Sequence, residues 1–79
     1  MGELAVERAH LAKADEDIAD GERRITGQML LVERLRDAGC EMGGAEDLLA
    51  TLRQSLAAWR DHRVEILRRI EHLERTPRP

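Results

Sequence analysis

The chain has 79 residues, 42% of them apolar and 37% charged, with a formal net charge of -3. That length allows a single domain. One cysteine, Cys40, excludes a disulfide scaffold, and no apolar run is long and uncharged enough to span a membrane. The apolar set is mainly Leu, Ala and Ile, with three Val, one Trp and no Phe or Tyr, which suits helices better than sheets.

No secretory leader is expected, because Glu3, Glu7 and Arg8 interrupt the stretch where its apolar core would lie. From there a heptad begins. Leu4, Leu11, Ile18, Ile25 and Val32 recur every seven residues, with Glu7, Ala14, Gly21, Gln28 and Leu35 in the companion positions. A period near 3.5 residues held this long predicts a helix, over about residues 3–38, packed along one seam against another helix. Asp20-Gly21 is a turn-like dipeptide inside it, and a break there would give three shorter helices. The heptad nevertheless passes from Ile18 to Ile25 without a phase shift, so a continuous helix is expected.

Gly39 follows Arg34 and Arg36, the pattern of a left-handed helix stop after a basic last turn. Residues 39–44 read as the turn. The pattern Gly39-Cys-Glu-Met-Gly43-Gly44 is no phosphate loop, since no strand precedes it and no Lys follows Gly44. Cys40 there has no second Cys and no base beside it, so a structural or incidental role is expected. Glu46 and Asp47 then suit the positive start of a second helix, expected over about residues 45–75. Its seam holds Leu49, Leu56, Arg63 and Ile70, with Ala45, Leu52, Trp59, Ile66 and Leu73 as companions. Residues 76–79, with Pro77 and Pro79, are expected to fray.

Two rods of similar length joined by six residues predict an all-α antiparallel helical hairpin, coiled-coil-like. With the fold centred near residue 42, position n on the first helix should lie opposite a position near 83 minus n. Trp59, on the seam, would then be core, near the space that Gly21 leaves. Met29, Leu30, Leu31, Val32 and Leu35 cover more than half of the helix girth near the turn, faced by Leu48 and Leu49. Val64 and Leu67 add a second strip. Two helices share only one seam, so this excess predicts a homodimer closing into a four-helix bundle, or a protein partner that supplies the missing helices. Leu30, Leu31, Leu48, Leu49, Leu52 and Trp59 are the expected interface. Whether the two hairpins pack parallel or antiparallel is open at this stage.

The chemical candidates are few. Glu7-x-x-His10 has the spacing with which a helix offers a carboxylate and an imidazole to one metal, and the pairing rule places Glu71 and His72 nearby. A di-iron bundle needs two such motifs and two further Glu, so a solvated or salt-bridged pair is the expectation, with no cofactor and no metal. His62 lies where it could titrate near neutral pH, without a visible partner. Twelve of the thirteen bases are Arg, but Asp61, Glu65, Glu71 and Glu74 interleave with those of the second helix, so nucleic acid is not favoured. No nucleophile and base converge, and no enzymatic activity is expected.

The run from His10 to Ile25, Leu48-Leu-Ala-Thr-Leu-Arg-Gln-Ser-Leu56 and Trp59-Arg-Asp-His-Arg63 together resemble short two-helix proteins of rhizobial-type alphaproteobacteria. The resemblance implies a cytoplasmic bacterial protein and transfers no activity, cofactor or site residue. The expected function is a non-enzymatic interaction or regulatory role through self-association. The alternatives are a metal- or small-ligand-binding bundle using Glu7, His10 and His72, and a nucleic-acid-associated protein using the arginines of the second helix.

Overall fold

A computed structural model describes residues 2–76. Two helices, α1 (Glu3–Asp37) and α2 (Gly43–Arg75), pack against each other as an antiparallel hairpin, a rod of 66 × 15 × 13 Å. The expected tail lies mostly outside the described residues; Thr76, the last of them, is extended and donates its N–H and its hydroxyl to the His72 carbonyl.

α1 runs unbroken through Gly21 and Gly27. It stops where the basic last turn meets Gly39, whose φ of +70° is the left-handed conformation that glycine adopts without a Cβ penalty. Two crossed backbone bonds close this end: Gly39 N–H donates to Arg36 (3.0 Å) and Cys40 N–H to Leu35 (2.8 Å). α2 starts two residues earlier than expected, at Gly43, so Glu46 alone stands in its first turn. The half-buried Gln28 amide donates to the Ala45 carbonyl at 2.9 Å and fastens that start to α1.

The heptad seam carries the fold. All ten seam residues of α1 from Leu4 to Leu35 are buried or half-buried, and so are Ala45, Leu49, Leu52, Leu56, Arg63, Ile66, Ile70 and Leu73 of α2. Ala14, Ile66 and Ile70 form a buried cluster at the open half, with Leu4 and Leu11 packed against it. Three ion pairs tie the helices along the rim: Arg63 to Asp15 (2.6 Å), Arg69 to Glu7 (3.1 Å) and Arg8 to Glu74 (3.4 Å). Exposed pairs such as Arg8–Glu74 contribute about 0–1 kcal/mol each, so apolar packing dominates.

Two expectations are corrected. The register is shifted, because Gly21 faces Leu56 and Asp15 reaches Arg63, some five to six residues nearer the turn on α2 than the pairing rule gives. The start of α2 two residues early acts in the same direction and accounts for part of that shift. Trp59 is 40% exposed and is not core. The space at Gly21 is taken by Leu56, whose Cδ1 lies 3.4 Å from where a Cβ would stand. One turn farther along, Trp59 lines a surface groove together with Ala14 and Asp17.

Candidate interaction surface

Two grooves of the open half lie on one flank of the hairpin, and the exposed Val64 and Leu67 line neither of them. A wide groove of about 550 Å³ is lined by Glu3, Val6, Glu7, Glu65, Arg68, Arg69, His72 and Leu73. A smaller one of about 240 Å³ continues it toward mid-rod, lined by His10, Lys13, Asp17, Trp59 and His62 among others. The two share Glu7 and Arg69, whose ion pair forms the ridge between them. Glu7, Ala14, Trp59 and Leu73 of the lining are seam residues, and Glu3, His10, Asp17, His62 and Arg69 stand on the row beside it, so the coiled-coil geometry that buries Ile66 and Ile70 also lays most of this strip along one side.

Glu7 is the most constrained charge on the flank, with a side chain only 15% exposed. Partial burial pushes its carboxyl pKa up, but the Arg69 guanidinium at 3.1 Å and His10 Nδ1 at 3.6 Å outweigh that, and the net pKa lies below the ordinary 4.5. Glu7 therefore stabilises the fold fully above its unfolded pKa, and this contribution is lost as pH falls through the lower folded value. The Glu7→Gln variant is expected to lose melting temperature less steeply than the parent between about pH 5 and 3, followed by circular dichroism. Parallel curves would contradict the assignment. Lys13 donates to Asp17 at 2.9 Å, and that bond raises its pKa. Trp59 and His62 meet edge to face, centroids 6.1 Å apart at 67°.

The metal-ligand candidates are dispersed. Glu7 lies beside His10, but His10 lines the smaller groove and His72 the wider one. No group of three or more His, Cys, Asp or Glu among the described residues stands close enough to hold a metal ion. The arginines of α2 are mostly engaged. Arg63 and Arg69 hold carboxylates of α1, while Arg68 and Arg75 hold Glu65 and Glu71 of their own helix. Arg53 and Arg60 make no ion pair among the described residues. No described helix is long and apolar enough to cross a membrane. Cys40 is exposed in the turn with a free thiol.

The expected interface divides in two. Leu30, Leu31, Leu48 and Trp59 are exposed, whereas Leu49 and Leu52 are half-buried between the hairpin's own helices. A charge at Leu49 or Leu52 therefore perturbs the hairpin itself, and one at Leu31 or Leu48 the outer surface. Val6, 39% exposed in the wide groove, was not marked out by the sequence. In sequence it only ends the short apolar run Leu4-Ala5-Val6, one position before the seam residue Glu7. Comparison with protein-family models, curated proteins and solved structures finds no match to this chain.

Proposed function

We propose that the chain is a non-enzymatic interaction protein of the bacterial cytoplasm that works by self-association, two hairpins closing into a four-helix bundle whose charged outer faces meet a further protein. The bacterial and cytoplasmic setting rests on the sequence resemblance. The association rests on one observation. Among the described residues eight large apolar side chains are 37 to 49% exposed, against five apolar side chains that are buried. Single exposed leucines are ordinary on a monomer, but here they outnumber the core.

The surface area supports the same reading. The chain exposes 6030 Å², whereas a compact monomer of 9.0 kDa exposes about 4,850 Å². Two copies packed as closely as an ordinary protein of twice the mass bury about 4,000 Å² in total, inside the range of obligate homodimers. When folding and dimerisation are coupled, stability depends on protein concentration. The melting temperature is expected to rise by several degrees over a hundredfold increase in concentration. A constant melting temperature across that range would contradict self-association.

A further inference from the structure

We propose that the second copy docks on the grooved flank in antiparallel orientation, so that the Leu31–Leu48 pair near the turn of each hairpin seats in the wide groove at the open end of the other. This rests on the self-association reading and adds its face and direction.

The flank continues beyond the grooves by heptad identity. Leu31 and Arg24 occupy the α1 row of His10 and Asp17, Arg34 occupies the row of Val6 and Lys13, and Leu48 occupies the α2 row of His62 and Arg69. An isologous dimer with its twofold axis across the rod requires a projection and a recess at equal distances from one centre. The flank meets that condition. Trp59 is the middle residue of α2 and residue 20 the middle of α1, and Leu31 and Leu48 each lie eleven residues toward the turn. At 1.5 Å per residue that is about 16 Å from the centre. On the other side the wide groove extends from about 9 Å, at Glu65, to about 26 Å, at Glu3. Each leucine pair therefore falls on the partner's groove, and Trp59 falls at the axis beside its own copy.

Charge selects the direction. The turn half of these flank rows carries Arg24 and Arg34 and no acid, for +2. The open half carries Glu3, Asp17 and Glu65 against Lys13 and Arg69, for -1 with His neutral, and Asp20 stands at the centre. Glu7 and Arg68, which also border the wide groove, offset each other. Antiparallel packing sets each positive half on a negative half, and parallel packing sets like on like. Neither Arg24, Arg34 nor Glu3 makes an ion pair among the described residues, so all three are available to a partner.

Cys40, exposed in the turn at one end of the rod, reports the direction without any mutation. A nitroxide is attached to it and the spin–spin distance is measured by pulsed dipolar spectroscopy, alongside the solution mass of the labelled protein. A dimeric mass with a distance approaching the 66 Å length of the rod is the expected result. A dimeric mass with a distance less than half that length places the turns together and overturns the antiparallel arrangement while leaving self-association standing. A monomeric mass overturns self-association, and the orientation with it. As a second arm, the Arg24→Glu/Arg34→Glu variant, altered only at exposed positions, is expected to weaken the dimer roughly tenfold or more at low salt, and a dimer of undiminished affinity would overturn the proposed face.

Discussion

Replacing Ile66 by aspartate is expected to abolish the helical circular dichroism signal at neutral pH, while Ile66→Val keeps the fold with a modestly lowered melting temperature. Among the described residues Ile66 is the one fully buried large side chain, at 0% exposure, and it joins Ala14 and Ile70 in the cluster that closes the open half. A chain of this size has roughly 4 to 12 kcal/mol of stability in total. Removing a buried isoleucine costs about 2 to 5 kcal/mol, and the carboxylate adds the burial of an unpaired charge. The inter-helix ion pairs Arg63–Asp15 and Arg69–Glu7 are already formed. Loss of one methylene in Ile66→Val costs about 0.5 to 1.5 kcal/mol, which the hairpin tolerates. A folded Ile66→Asp variant with the parent's melting temperature would show that the seam does not hold the hairpin.

The two glycines inside α1 are expected to differ in the side chain they accept. A Cβ on Gly27 meets nothing within 4 Å, so Gly27→Ala removes only the helix penalty of glycine and stabilises by about 1 kcal/mol. Gly21 is half-buried on the seam, and a Cβ there already stands 3.4 Å from Leu56 Cδ1. Alanine fits at that distance, but leucine drives a branched side chain into Leu56. Gly21→Leu therefore separates the helices or forces Leu56 from its rotamer, at about 1 to 3 kcal/mol against a helix-propensity gain of about 1. Denaturant melts of Gly27→Ala, Gly21→Ala and Gly21→Leu separate the effects. A Gly21→Leu variant as stable as Gly27→Ala would mean that Leu56 does not fill that space.

The parts of this fold that were legible in the sequence are those set by local chemistry and by periodicity. The heptad from Leu4 to Leu35 names every seam residue of α1, and Gly39 marks the stop because only glycine holds that positive φ without strain. What periodicity does not carry is the axial offset between two helices. That depends on how many turn residues join each rod, and Gly43 and Gly44 entered α2 although glycine favours the turn. The offset decided the fate of Trp59. With Leu56 in the gap at Gly21, the indole became part of the flank, and a reading of the seam alone could not place it there. The grooves were illegible for the same reason, since their walls come from residues far apart in sequence, such as Val6 with His72 and Asp17 with His62.

Leu30, Leu31 and Leu48 make the association reading more than a matter of composition. They are among the most exposed apolar side chains, and the hairpin satisfies its own seam without them. Leu31 and Leu48 can therefore be charged without disturbing a buried contact of the single chain. Light scattering on the parent and on the Leu31→Asp/Leu48→Asp variant at matched concentrations is the most direct test. The expected masses are twice 9.0 kDa for the parent and 9.0 kDa for the variant, with helical signal retained in both. A parent that is monomeric at every concentration, or a variant that dimerises as the parent does, would contradict the account.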